Sequence, residues 1–223
     1  LLIQALRNAN ADIPLALNHA DNTGNTALIT SAERGHSEIV KLLLLHGANL
    51  ANGYSQEIAS LIALNNNPTL PQEKLLSIIQ NDDISWVSTD FSHLCSKSHD
   101  EQNILRDLAT WGVILGNQAF VTDMILLRQD SLPLAERTEY LRLALQAQKF
   151  DVADIILESV YDNHLSIASS KQSLLNYSLH LMVIECAPPS VINFLLQHGA
   201  VPKPYTRESC EEDQCLLETH TLF

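Results

Sequence analysis

Two short segments of this sequence collect side chains that are able to do chemistry. One lies in the middle of the chain and the other in its acidic final part; their members are His93, Cys95, His99 and Asp100, and Cys210, Cys215 and His220. Thiols and imidazoles at close spacing bind zinc, or a thiol acts as a nucleophile beside a base. Both segments lack the Cys-x-x-Cys pairs of zinc sites and an evident fourth ligand. We therefore interpret both as polar loops, with no metal and no catalytic residue. The alternative, that one of them carries chemistry, predicts that cysteine-to-alanine substitutions there abolish an activity.

The composition disfavours several classes of function. The 223 residues carry a formal net charge of −13, which argues against binding to nucleic acid or to an anionic membrane and favours a neutral or basic protein partner. The sequence has no glycine-rich phosphate loop, and we expect no cofactor. No apolar run is long enough to cross a bilayer. The four cysteines lack paired spacing, which indicates free thiols in a reducing compartment and predicts a cytoplasmic protein.

The elements that must position any functional surface are clearest in residues 21–50. Asp21 favours a turn, and Gly24 supplies a positive φ within it. Gly35 separates a short helix from a longer one, which Gly47 ends. The second helix collects its apolar residues on one face, namely Ile39, Val40, Leu43 and Leu44. Such a unit cannot bury its apolar side alone, and it predicts a stacked repeat array.

This segment resembles an ankyrin repeat, whose pattern is Asp-x-x-Gly-x-Thr-Pro-Leu-His, then Ala-Ala-x-x-Gly-His, then Ile-Val-x-x-Leu-Leu-x-x-Gly-Ala. The matching residues are Asp21, Gly24, Thr26, Leu28, Ala32, Gly35, His36, Ile39, Val40, Leu43, Leu44, Gly47 and Ala48. The chain departs from the pattern at Ala27, Ile29 and Ser31. Fainter copies of the second helix occur at 74–79, 116–125, 150–157 and 191–200.

The resemblance implies an all-α fold, an ankyrin-repeat solenoid of about six helix pairs with one longer inserted loop. We expect the array to cover residues 1–200, with an irregular N-terminal cap at 1–20. Residues 201–223 form an acidic tail or the start of a following segment.

The inserted loop is predicted at about 84–99, because the second helices before and after it are more than one repeat length apart. Its local alternation of polar and apolar residues suits a small hairpin. Trp86 and Phe91 within it have two alternative roles. Either they pack against the adjoining repeats, or they are anchors for a partner.

The resemblance also implies a non-catalytic protein-interaction module, which we expect to be a monomer. Binding is expected on the projecting turns, called fingers, on the concave face of the first helices, or on the inserted loop. The partner-binding residues expected there are Asn22, Thr23, Asn25, Thr30, Glu33, Arg34, Tyr54, Gln56, Trp86 and Phe91. His36 and His198 are expected to hydrogen-bond backbone across repeats rather than to bind a metal.

The degenerate repeats are similar to those of bacterial ankyrin proteins, including proteins that intracellular bacteria deliver into host cells. The host-cell cytoplasm is then the expected location. A different class of function is also open: the array is the substrate-recruiting arm of a larger enzyme whose catalytic domain lies outside this chain. The sequence downstream of Phe223 would distinguish the two.

Overall fold

The computed structural model describes residues 13–50, 55–66, 71–80, 84–92, 97–128, 132–160 and 167–202. Within these ranges the chain forms twelve α-helices and no β-strand. The helices are α1 (Ile13–Leu17), α2 (Ala27–Glu33), α3 (Ser37–Leu45), α4 (Ser55–Asn66), α5 (Gln72–Gln80), α6 (Trp86–Phe91), α7 (His99–Leu115), α8 (Gln118–Leu127), α9 (Leu134–Gln146), α10 (Phe150–Glu158), α11 (Ile167–Ile184) and α12 (Pro189–Gln197). The prediction of an all-α, ankyrin-like stack of helices is confirmed.

Ten of these helices form five successive pairs, in which the first helix packs against the second: α2 with α3, α4 with α5, α7 with α8, α9 with α10, and α11 with α12. First helices also pack side by side, α2 on α4, α7 on α9 and α9 on α11, and so do the second helices α8 and α10. The two layers enclose one continuous apolar core. Of the sixth predicted pair, the N-terminal cap, only α1 falls within the described ranges.

The predicted insertion contains a helix, α6, and the hairpin prediction is wrong. Trp86, Val87 and Phe91 lie on one side of this helix, and Val87 and Phe91 are buried. The alternation in the sequence was too short to distinguish a strand from a single apolar helix face. α6 packs on α8, while α5 packs on α7. The insertion therefore adds a helix to the second layer, directly before α8.

Three asparagine side chains fasten the backbone where helices end. Asn18 Nδ2 donates to the carbonyl oxygen of Gly47 at 3.1 Å, and Asn18 Oδ1 accepts from the Asn49 N–H at 2.7 Å. Buried Asn117 donates to the Ile78 carbonyl at 2.9 Å and caps α8. Asn176 Oδ1 accepts from the Val201 N–H at 2.8 Å, at the end of the last repeat. Because buried backbone groups must be paired, these amides fix the loops between layers.

A buried charge cluster joins α8 to α9. The Arg128 side chain is 3 % exposed and its Nη1 lies 2.9 Å from Glu136 Oε2. Arg106 approaches the other oxygen of Glu136 at 3.2 Å, and the Tyr140 hydroxyl donates to Glu136 at 3.4 Å. Arg137 faces the next helix, where its Nη1 donates to the Ser159 carbonyl at 2.5 Å. One carboxylate thus pairs with two arginines between neighbouring repeats.

Candidate interaction surface

The finger before α2 is ordered by a single carboxylate. Asp21 Oδ1 accepts from the Thr23 hydroxyl at 2.6 Å and from the N–H groups of Thr23 and Asn25 at 2.8 and 3.0 Å. The Thr23 hydroxyl bond, and then the backbone N–H bonds, lower the pKa of Asp21 below its ordinary value of 3.8. Asn22 and Thr23 are exposed and Asn25 is half-buried. The turn therefore presents these polar side chains on a fixed backbone.

The first helices extend this polar surface. Thr26 caps α2, its hydroxyl accepting from the Ile29 N–H at 3.4 Å. Farther along α2, Thr30 is half-buried, whereas Glu33 and Arg34 at its end are exposed. Gln56 is exposed on α4, which packs directly beside α2. Tyr54, expected to belong to the same surface, lies outside the described residues.

Phe91 does not lie on the surface. Its side chain is 1 % exposed, and its ring meets the Phe120 ring edge-on, with centroids 5.9 Å apart. The prediction that Phe91 is an exposed anchor is therefore wrong. Phe91 lies on the apolar face of the six-residue helix α6, and α8 covers this face. Trp86 is half-buried, and the centroid of its ring lies 5.8 Å from that of Phe120. Its indole N–H donates to Ser77 Oγ at 3.0 Å.

A cleft beside Trp86 contains charged residues that the sequence analysis did not single out. Lys74 Nζ lies 5.1 Å from the centroid of the Trp86 ring and pairs with Asp90. Lys97 approaches the second oxygen of Asp90 at 4.0 Å. The cleft is lined by these three charged residues together with Pro71, Glu101 and Ile104. Asp90 follows Trp86 by four residues, so a helical reading of the insertion would have placed them on the same face.

Comparison with known protein families matches one part of the chain. Residues 23–53 fit the family model of the ankyrin repeat. This match covers the finger from Thr23 onward, together with α2 and α3, and these carry most of the exposed polar residues described above. Comparisons with curated proteins and with solved structures gave no match.

Ankyrin repeats are in general non-catalytic interaction modules. None of the described helices is long and apolar enough to span a membrane. Within the described ranges, no three His, Cys, Asp or Glu side chains are grouped so that they would hold a metal ion.

The two segments considered for chemistry fall mostly outside the described residues. His93 and Cys95 are among the residues not described, as are Cys210, Cys215 and His220. His99 and Asp100 are exposed in the first turn of α7, whose start is fixed by a capping box. The exposed thiol of Cys186 lies in the turn after α11.

The two turn histidines differ from their expected role. His36 is exposed, and its side chain does not cap the ankyrin helix α3 that follows it. Asn117 stands at the corresponding place before α8. It makes the contact that was expected of the histidine, a hydrogen bond to the backbone of another helix pair. His198 Nδ1 lies 2.8 Å from the Phe194 carbonyl in its own helix. Its Nε2 lies 2.7 Å from Asp154 of the preceding repeat, so its contact across repeats is to a carboxylate.

Proposed function

We propose that this chain is a non-catalytic protein-interaction module that binds a partner protein through the finger and first-helix surface of its ankyrin repeat. The observation that carries the proposal is the ordered finger, in which Asp21 fixes the backbone below exposed Asn22 and Thr23. A surface held in its binding geometry loses little conformational entropy when a partner docks. The stacked helices behind it supply that rigidity.

The partner-binding surface in this proposal consists of residues from the finger, α2 and α4: Asn22, Thr23, Asn25, Thr30, Glu33, Arg34 and Gln56. The half-buried Trp86 contributes at most the uncovered part of its ring. The net charge of −13 supports a neutral or basic protein partner over nucleic acid or an anionic membrane. We further propose that the chain acts as a monomer in the cytoplasm. Because the degenerate repeats resemble those of bacterial ankyrin proteins that are delivered into host cells, this proposal includes the cytoplasm of a host cell.

Affinity capture from a cell lysate tests the proposal. The intact chain is compared with an Asn22→Ala, Arg34→Ala, Gln56→Ala triple variant. The matched control is Glu158→Ala, Asn193→Ala, Gln197→Ala, which changes three exposed side chains of the second-helix layer. All three chains must have the same melting temperature.

We expect one protein to be retained by the intact chain and by the control, and lost from the triple variant. Equal retention by all three chains would contradict binding through the finger and first helices. If the control variant loses the captured protein and the Asn22, Arg34, Gln56 variant keeps it, binding lies on the second-helix layer. Capture of nothing in any suitable lysate would contradict the interaction function itself.

A further inference from the structure

The first helix pair of the array folds back onto the later ones. One cleft is lined on one side by Ile13 of α1 and by His46, just after α3. Its other side is formed by the ends of α9 and α11 and the turns that follow them, namely Gln146, Gln148, Met182, Glu185, Ala187 and Pro188. Helix α3 also packs on α7. The N-terminal unit, defined here as α1, α2 and α3, therefore lies against the pairs that begin with α7, α9 and α11.

The turns inside the helix pairs show which residues of the first helices correspond. Each turn has one residue with positive φ, and the N–H that follows it donates to the carbonyl five residues earlier. These residues are Gly35, Gly116, Gln148 and Cys186, with φ of 70°, 80°, 56° and 53°. Because the four turns share this geometry, counting back from them aligns the first helices residue by residue.

In this alignment a face that is polar on α2 is apolar in the later pairs. Thr30 of α2 corresponds to Trp111 in α7 and Leu143 in α9, and Glu33 corresponds to Ile114 in α7. The three apolar residues are buried, whereas Thr30 is half-buried and Glu33 is exposed. The first helices of the later pairs thus have the composition of a covered interface at positions where α2 is in contact with solvent.

The apolar face continues on α11, where it is not covered. Ile184 stands at the position of Glu33 and is 63 % exposed, and its neighbour Val183 is 58 % exposed. The next residue, Glu185, lines the cleft. Exposed apolar surface that is contiguous with an interface is typical of a binding site. The apolar surface is therefore wider than the N-terminal unit that lies against it.

The contact at the cleft suits a unit that can undock. Gln146 Nε2 donates to Glu185 Oε2 at 2.5 Å, and Arg142 Nη1 lies 3.7 Å from the other oxygen of Glu185. Both contacts lie within the later pairs and do not depend on the N-terminal unit. Groups that line a gap lose the dispersion contacts of a close-packed interface. Undocking here should therefore cost less free energy than unfolding a helix pair.

We propose that the N-terminal unit is a reversible cover over an apolar binding surface on α7, α9 and α11, and that an amphipathic helix of a partner protein binds this surface when the cover undocks. The element that packs on α7 in this structure, α3, is itself an amphipathic helix with buried Val40, Leu43 and Leu44. A partner helix would present an apolar face of the same kind. The surface is separate from the finger, so the proposal does not depend on the function proposed above.

Cross-linking tests whether the unit is docked in solution. The exposed thiol of Cys186 lies between two residues of the cleft, Glu185 and Ala187. In a chain whose other three cysteines are serine, His46→Cys is treated with a short bismaleimide. We expect a cross-link between position 46 and Cys186. The control is Glu158→Cys, at the end of α10 away from this turn, and it should give none. Equal yields from the two chains would overturn the docked position.

An apolar dye, anilinonaphthalene sulfonate, tests the surface beneath the cover. Ile13→Asp places a charge in the cleft and should undock the unit, whereas Leu15→Asp adds the same charge to a residue of α1 that is 72 % exposed. We expect dye fluorescence to rise at least about threefold in Ile13→Asp, because apolar surface becomes accessible, and to stay unchanged in Leu15→Asp. Both variants must keep the helical circular dichroism of the intact chain, and Ile13→Ala replaces Ile13→Asp if it does not.

A synthetic amphipathic helix of leucine and lysine tests the class of partner. The intact chain binds it weakly if the open form is a minor population, so we expect at least about a tenfold lower Kd for Ile13→Asp than for the intact chain or Leu15→Asp. The cross-linked chain should not bind it. Equal Kd values for Ile13→Asp and Leu15→Asp, or no rise in dye fluorescence, would overturn the proposal. Sedimentation of Ile13→Asp as a dimer would also overturn it, in favour of a second copy of the chain on this surface.

Discussion

The Phe120 ring occupies the space that Gly112 leaves by lacking a side chain. A Cβ at residue 112 would stand 2.3 Å from Phe120 Cδ1, closer than real carbon atoms approach. Gly112 lies inside α7 and Phe120 inside α8, so this contact sets how closely the two helices of one repeat pack.

This relationship predicts that Gly112→Ala destabilises the protein. Elsewhere in a helix the change from glycine to alanine stabilises by about 1 kcal/mol. Here the added methyl must displace a fully buried ring, and we expect a net loss of about 1–3 kcal/mol in the free energy of unfolding by urea. In a Gly112→Ala, Phe120→Leu double variant the loss should be smaller than the sum of the single losses. Additive losses would mean that the ring is not the obstacle.

The buried charge cluster predicts a large effect of Glu136→Gln. The change removes the carboxylate that pairs with both Arg106 and the nearly fully buried Arg128. Breaking a buried ion pair in this way costs about 3–5 kcal/mol. The control is Glu139→Gln, which breaks an exposed pair with Arg142 and should cost below about 1 kcal/mol in chemical unfolding. Equal losses from the two variants would contradict the role of Glu136.

The burial of the Tyr140 hydroxyl predicts that the free energy of unfolding falls at alkaline pH. Burial, and then the charge of Glu136, raise the pKa of Tyr140 above its ordinary value of 10.0. The unfolded chain releases this proton first, so the contribution of Tyr140 is complete below that ordinary pKa. It is lost as the pH rises toward the folded pKa, by up to about 1.4 kcal/mol per pH unit. Urea unfolding between about pH 9 and about pH 11 should give a steeper decline for the intact chain than for Tyr140→Phe. Parallel declines would show that Tyr140 ionises equally in both states.

The burial of Phe91 predicts that replacing its side chain lowers the stability of the fold and does not affect binding alone. Because its ring is buried among those of Trp86 and Phe120, Phe91→Ala should destabilise by about 3–5 kcal/mol. Thr89→Ala, at an exposed position of the same helix, should change stability by less than about 0.5 kcal/mol. The measurement is thermal unfolding followed by circular dichroism. An unchanged melting temperature for Phe91→Ala would restore its assignment as a surface anchor.

The finger predicts an acidic titration that depends on one hydroxyl. In the folded protein the Asp21 carboxyl should titrate below 3.8, since its largest stabilising contact is the bond from Thr23. Thr23→Val removes that bond while the backbone N–H groups stay in place, so the pKa should rise toward the ordinary value. Carbon-detected NMR of the carboxyl group measures the pKa of Asp21 in the intact chain and in Thr23→Val. An identical pKa in the two chains would mean that the hydroxyl does not order the finger.

Local patterns were enough to predict the regular parts of this fold. The spacing of Ile39 to Leu44 and the stop at Gly47 predicted α3, and the repeat of that pattern ending at Gly199 predicted α12. These signals are local because a helix face and its terminal left-handed residue are properties of consecutive residues. The exposed polar residues of the finger followed from the same repeat pattern, and their part in binding stays a prediction.

The helical class, the stacking of repeats and the finger before α2 could be predicted from the sequence alone, because each depends on periodicity and turn chemistry within about 30 residues. The packing of the helices was needed to establish that the insertion is a second-layer helix, that Phe91 is buried, and that Lys74 meets Asp90 beside Trp86. These outcomes depend on which helices become neighbours. A six-residue segment with one apolar side carries too little local information to specify its partner, and packing against Phe120 of α8 supplies the rest.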